Sequence, residues 1–399
     1  MKVKSIMIIK NINIILIINI IIIIKILSNF FNIYFITAFK NTISNIILEN
    51  KYLKIENYLK ICKNSSRLKI TKNYKKRINP KISIISSIFN SEKYLLRFLN
   101  SIYFQNYNNI EIILIDDYST DNSVKFIEEY QKKDRRIILI KNKKNKGTFI
   151  NRNLGGLYSK GKYIILPDPD DILSKNNLKI LFDFAKKYNY DLLRFNLYLK
   201  DEKIAFKKIV DNLDNKPVFQ PELSTYIYYG NNELQIIDCY VHNKFIKRDI
   251  YIKVINALNS FYTNIYMTFM EDSIINYLLY RNSKSYYFVK IIGYYYIKNT
   301  QSITKNLFKI SDLRIKFIFI YLKFIFEYSK NNKIERDMNN ILFTNIVKRF
   351  NILRKSSSSV YKKYYRLYKE VINEYTNNKY IYIGIKKFLR EFINLIEKE

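Results

Sequence analysis

Carboxylates gather at three places in this chain, each beside a predicted element. Ile115-Asp116-Asp117-Tyr118-Ser119-Thr120-Asp121 sets acids among hydroxyl residues. Such a group suits hydrogen bonding to a ribose or a base edge. It equally suits a helix N-terminus, whose dipole welcomes negative charge. Tyr163-Ile-Ile-Leu-Pro-Asp168-Pro-Asp170-Asp171 puts three carboxylates within four residues at the mouth of an apolar strand. They repel one another unless a cation sits among them. A hard divalent ion supplies that charge, and Mg²⁺ takes one or two protein carboxylates together with substrate phosphates; the plain alternative is a solvated acidic turn. Glu271-Asp272 opens a later helix, as a cap or as the general base of a reaction that needs one. Between the first two groups lie Asn145-Lys146-Gly147 and Asn151-Arg152-Asn153. Gly147 lets the backbone approach a ligand, and a guanidinium in the first turns of a helix would point toward diphosphate oxygens.

The elements that must position these residues are legible from residue 80 onward. Residues 81–89 are a strand of β-branched residues, and Ser91 then caps a helix with Leu95, Leu99 and Ile102 on one face. A second strand covers 110–115, and a helix from about 120 to 132 follows, with Val124, Ile127 and Tyr130 on one side. Residues 136–140 form a third strand, 148–159 a helix and 163–166 a fourth strand. Strands alternating with helices of this length imply βαβ units, hence an α/β fold with a mostly parallel sheet and helices on both faces. Ligands of such sheets sit beyond the carboxyl ends of the strands, where the polar motifs fall.

Composition narrows the class further. The 399 residues carry 69 Lys+Arg against 34 Asp+Glu, a formal net charge of +35, with 48% hydrophobic residues and only two cysteines. That apolar content excludes wholesale disorder, and the cysteine count excludes a disulfide scaffold. The positive charge invites a nucleic-acid reading, but Lys, Asn, Ile and Tyr recur through helices, strands and loops alike, so no nucleic-acid partner is expected. Cys62 and Cys239 read as independent thiols, and His242, the one histidine, as a packed structural residue rather than a metal ligand or acid.

Residues 1–39 differ from the rest: Lys2, Lys4 and Lys10 precede an apolar run from Ile12 to Ile24. They read as a signal anchor or as a cleaved signal peptide. The first implies a single-pass, membrane-associated protein, in the ER or Golgi if the cell is eukaryotic; the second implies the lumen of the secretory pathway. Residues 40–79 read as a stem and 306–399 as a C-terminal helical region. Within the latter, 313–326 is expected to be a packing or interfacial helix rather than a membrane span, because Arg314, Lys316 and Lys323 interrupt it.

In order and approximate spacing, the motifs at Pro80–Asn90, Asp116–Asp121, Asn145–Gly147, Arg152-Asn153, Tyr163–Asp171 and Glu271-Asp272 resemble those of family 2 glycosyltransferases, over residues 80–305. The resemblance implies the GT-A type of Rossmann-like fold, a UDP- or GDP-sugar donor, a divalent ion (Mn²⁺ or Mg²⁺) and inversion at the anomeric carbon. The acceptor would be a glycan, a protein or a lipid. It further implies that Ser87, Phe89 and Asp117 frame the nucleotide base, that Arg152 lies near the donor phosphates, and that Asp168 and Asp170 face the nucleotide sugar. Asp170 and Asp171 would hold the metal, and Asp272 would be the general base with Glu271 its neighbour. Two positions depart from the family: His242 stands where an aromatic is common, and Lys298 where an arginine is usual. The rival reading is an inactive sugar-nucleotide-binding or membrane-associated scaffold of the same fold.

Overall fold

A computed structural model describes residues 66–69, 79–201, 204–209, 217–220, 229–230, 233–234, 240–259, 266–268 and 270–297, with single positions at 320, 321, 324 and 328. All belong to the unit Lys63–Glu399. Residues 1–39, almost all of the expected stem and most of 306–399 lie outside the described residues. Among those described, no helix is long and apolar enough to cross a membrane.

The chain runs β1 (Ser66–Lys69), β2 (Ile82–Ile88), α1 (Glu92–Tyr103), β3 (Ile110–Asp116), α2 (Ser123–Lys133), β4 (Ile137–Asn142), α3 (Thr148–Tyr158), β5 (Tyr163–Ile165), β6 (Ile172–Leu173) and α4 (Asn177–Tyr188). It continues through β7 (Leu192–Asp201), β8 (Ile204–Ile209), β9 (Val218–Phe219), β10 (Tyr229–Gly230), β11 (Glu233–Leu234), β12 (Lys244–Lys247), α5 (Arg248–Asn259), α6 (Glu271–Asn282) and β13 (Ser285–Ile297). The main sheet has the order β1-β4-β3-β2-β5-β12-β7-β13-β6, with β8 on β7 and β9 on β13.

Period-two alternation in the β-branched strands gives the sheet two apolar faces. Ile82, Ile84 and Ile88 of β2, with Ile112 and Leu114 of β3, pack against Leu95, Phe98, Leu99 and Ile102 of α1, Ile127 of α2, and Leu178, Leu181 and Ala185 of α4. The opposite face carries Ile85 and Ile115, and α3 lies so close to it that a Cβ on Gly155 would meet Ile85 Cγ2 at 2.2 Å. Helices α5 and α6 pack beside α3.

The run β4-β3-β2-β5 is parallel throughout, each strand separated from the next by a helix, as parallel pairing requires. Beyond β5 the sheet is mixed. β12 enters antiparallel to both β5 and β7, and β7 then pairs in parallel with β13 over the longest ladder of the sheet. The second helix begins at Ser123 rather than 120. Thr120 N–H goes to Asn90 Oδ1 at 2.8 Å and Asp121 Oδ1 accepts from Ser123 N at 2.9 Å, so 120–122 form the turn that delivers the helix.

Positions 321 and 324 near the C-terminus are helical and buried. Phe324 lies edge-on to Tyr277 of α6 with centroids 6.0 Å apart, and the Tyr328 carbonyl accepts from Arg281 at 3.0 Å. Part of the 313–326 segment is therefore packed against protein, as its interrupting charges require.

Candidate active site

The sheet order contains a reversal. From β2 the chain steps outward through β3 to β4, then returns to the other side of β2 as β5. A crevice opens beyond the carboxyl ends at such a switch point. The exits of β2 through β5 are residues 89–90, 117–120, 143–147 and 166–171, so four separated motifs converge by topology alone.

On one side of this crevice a polar chain fixes the loops. Asn151 Nδ2 donates to Ser87 Oγ at 2.8 Å, while Asn142 Nδ2 donates to Asn151 Oδ1 at 2.7 Å and to Asp117 Oδ1 at 2.9 Å. The buried Asp117 carboxylate also accepts from the backbone of Lys146 and of Gly147, each at 2.8 Å. Gly147 has φ +84°, and a Cβ there would stand 3.0 Å from the Met267 carbonyl, which itself accepts from Phe149 N at 3.2 Å. Only glycine meets both conditions. Of the residues expected around the base, Ser87 is half-buried, Asp117 is turned to the 142–147 loop, and Phe89 is 44% exposed at the rim.

The other side is organised by Arg152, which is 3% exposed. Its guanidinium donates to Asp168 Oδ1 at 2.7 Å, to Glu271 Oε1 at 3.4 Å and to Asp272 Oδ1. Asp272 Oδ2 accepts from Val241 N at 3.3 Å. The structure thus brings together Arg152, Asp168, Glu271 and Asp272, from α3, the β5 exit and the start of α6. Arg152, expected near the donor phosphates, is hydrogen-bonded to three carboxylates that reach its buried head from two other segments.

This charge cluster shifts its members in opposite directions. Burial disfavours the charged form of Arg152, but Asp272, Asp168 and Glu271 more than offset that and raise its pKa. Burial would raise the Asp168 carboxyl, yet the Arg152 charge, with His242 beside it, holds it at about 2. Glu271 goes the other way: burial and the Asp272 charge push it up to about 8 despite Arg152.

Asp171 differs from the expected metal ligand. Ile172 pairs with Tyr295 as β6 joins β13, and this register sets Asp171 against the end of β13. Its Oδ2 accepts from Tyr294 Oη at 2.7 Å and its Oδ1 from Ile297 N at 2.8 Å, and it is 1% exposed. Burial and the charges of Asp170 and Asp168 push its carboxyl well above the usual range. Asp170 stays half-exposed at the mouth, and its carbonyl accepts from Arg97. No group of three or more acidic, His or Cys side chains is arranged to hold a metal ion among the described residues.

Sequence reasoning missed Tyr294, which accepts from Asp168 N at 3.0 Å while donating to Asp171, and it gave no role to Asn142. The one available signal was the alternation of Tyr294 and Tyr296 on a single strand face. His242 is packed as expected, stacked on Tyr294 with centroids 4.6 Å apart, with Nδ1 3.6 Å from Asp168 Oδ2, too long for a hydrogen bond. Lys298 lies outside the described residues.

The model of Glycosyl transferase family 2 matches residues 83–255, which contain the crevice and Arg152. Residues 83–255 form a domain of this family. Among relatives, glycosyltransferase GlyG of Streptococcus pneumoniae is 36% identical over 121 residues, 30% of this chain and 40% of GlyG. An uncharacterized glycosyltransferase of Haemophilus influenzae is 32% identical over 168 residues, 42% of this chain and 64% of the relative. The chain therefore spans less than two thirds of the length of each. The crystal structure of S. aureus TarS 1-349 in complex with UDP-GlcNAc is similar in fold, with a TM-score of 0.50 at 20% identity, covering 66% of this chain and 73% of that one. The architecture of this family 2 domain is the mixed α/β, Rossmann-like GT-A fold with its parallel core.

Proposed function

We propose that this family 2 domain transfers a sugar from a nucleoside-diphosphate donor to an acceptor hydroxyl, with inversion at the anomeric carbon. One observation carries the reading: the buried guanidinium of Arg152 links Asp168, at the switch-point crevice, to Asp272, which lies 120 residues beyond Arg152 in the chain. The acceptor oxygen bonds to the anomeric carbon as the carbon–oxygen bond to the diphosphate breaks, and the electron pair leaves on the diphosphate. The acceptor proton passes to the Asp272 carboxylate. Attack from the face opposite the leaving group inverts the centre, by the logic that governs inverting glycosidases. Arg152 and the Val241 N–H orient the two oxygens of Asp272 before substrate arrives, so the base pays no reorganisation at the moment of reaction.

UDP-sugars are the first donors to test, because the TarS structure was obtained with UDP-GlcNAc; GDP-sugars come next. The acceptor is a glycan, a protein or a lipid, and residues 1–39 would serve as the membrane attachment. A divalent ion fits this site only through Asp170 together with donor phosphates, since Asp171 is committed to β13. What such an ion supplies is positive charge opposite the departing diphosphate.

Asp272→Asn is expected to abolish transfer from UDP-sugars while UDP binding persists, measured by product formation and by calorimetric titration. Retained turnover would remove Asp272 as the base, and a wild-type chain that binds neither UDP nor GDP would remove the donor reading. Chelation is expected to stop turnover; undiminished activity in chelator would remove the ion.

A further inference from the structure

The acidic loop after β5 is a tight turn. Asp171 N–H donates to the Asp168 carbonyl at 3.3 Å, with Pro169 and Asp170 as the central residues. Proline suits the first central place, because its fixed φ is the one the turn needs and it has no N–H to leave unpaired. Two of the three carboxylates are held by their side chains, Asp168 on Arg152 and Asp171 on Tyr294 and Ile297. With both ends of the turn fixed, the freedom left is the tilt of its central peptides, and that tilt sets where the half-buried Asp170 side chain points.

Helix α1 meets this segment along one line. Arg97, Ser101 and Gln105 are four residues apart, so they stand one above another on one helix face. Arg97 donates to the Asp170 carbonyl, Ser101 Oγ accepts from Leu173 N at 3.2 Å, and Gln105 Nε2 donates to the Ser174 carbonyl at 2.8 Å. The stripe is thus a rail on which residues 170–174 lie, while Ser174 N–H reaches the Gly293 carbonyl of β13 at 3.0 Å on the other side. Its two inner rungs are sheltered, Gln105 buried and Ser101 half-buried, as contacts that hold a fold together are. Arg97 is exposed, and its guanidinium carbon lies 5.9 Å from the centre of the Tyr94 ring, a cation–π contact that steadies it over the turn.

We propose that Arg97 is a positioning residue for the proposed transfer: by holding the Asp170 carbonyl it fixes the direction in which the Asp170 carboxylate is presented to the donor. The proposal rests on the donor reading above. Arg97 acts through Asp170, so its removal matters only while the Asp170 carboxylate is there.

The full chain is compared with Arg97→Ala, Arg97→Lys, Asp170→Asn and the Arg97→Ala/Asp170→Asn pair. Each is measured for UDP-sugar turnover, for UDP affinity by calorimetric titration with Mn²⁺ present, and for thermal unfolding. Arg97→Ala is expected to lower kcat/KM about 5- to 10-fold, the scale of one lost hydrogen bond from a charged donor. Its melting temperature should barely move, as for most exposed side chains. Arg97→Lys, whose ammonium can reach the same carbonyl, should recover most of the loss. In the Asp170→Asn background, Arg97→Ala should cost nothing further, whether read on turnover or on UDP affinity. An equal loss in both backgrounds would overturn the proposal, because Arg97 would then act on the substrate directly. Wild-type turnover in Arg97→Ala would overturn it too, as would a loss that tracks a lowered melting temperature and is not recovered by lysine. Failure of the donor reading has a different signature: the wild-type chain itself then binds neither UDP nor GDP, and this proposal falls with it.

Discussion

Three acids share Arg152, and they do not share it equally: Asp168 is held at about 2 while Glu271 rises to about 8. Glu271 starts from an ordinary value of 4.5, so between that and about 8 the folded chain keeps a proton that the unfolded chain releases. Its contribution to stability is therefore full below pH 4.5 and is lost as pH rises through about 8. Asp171, raised by the same cause, slopes the same way. Urea midpoints should fall between pH 5 and 8, and Glu271→Gln should flatten that fall; an identical decline in both chains would exonerate Glu271. The residues of this cluster were legible in the sequence because carboxylates stand out in a basic chain. Their partners were not: Arg152 and Asp272 are 120 positions apart, and Arg152 alone resembled any phosphate-binding arginine. The surroundings of Asp171 were hidden for the same reason, since its sequence neighbours are acids while its spatial neighbours include Tyr294 and Ile297.

Among the elements, β13 does most to hold the acidic loop. Gly293 interrupts its ladder with β7 at a register shift, where a Cβ would stand 2.3 Å from Phe195 Cδ2 and 2.7 Å from Asn177 Oδ1. Gly293→Ala is expected to cost about 1–3 kcal/mol of stability by overpacking. It should also weaken UDP-sugar turnover, because Tyr294, the next residue, ties Asp168 to Asp171. An unchanged denaturation midpoint would show that Phe195 moves aside without cost. Strands β2 to β5 were readable as runs of β-branched residues. β7 and β13 were not, because buried Arg194 and Asn196 break the apolar pattern of the first and near-continuous aromatics hide the period of the second.

For the whole molecule, the proposed donor crevice would link folding to ligand binding. A ligand that binds only the native chain stabilises it by about 2.7 kcal/mol at 100 times its dissociation constant. UDP should therefore raise the melting temperature; a melting temperature indifferent to UDP would separate the crevice from the nucleotide. The net charge of +35 predicted none of this, being spread over the whole sequence. The joint between the two halves of the domain matters more. β12 pairs through Ile246 and Lys247 with β5 on one side, and through Lys244 to Ile246 with β7 on the other. The parallel strands β4-β3-β2-β5 and the pair β7 and β13, which anchors the acidic loop, are thus stitched into one continuous hydrogen-bonded sheet. A lobe-on-lobe closure across that joint would have to break strand pairing, so the spacing between the acidic loop after β5 and its Tyr294 anchor on β13 is set when the chain folds.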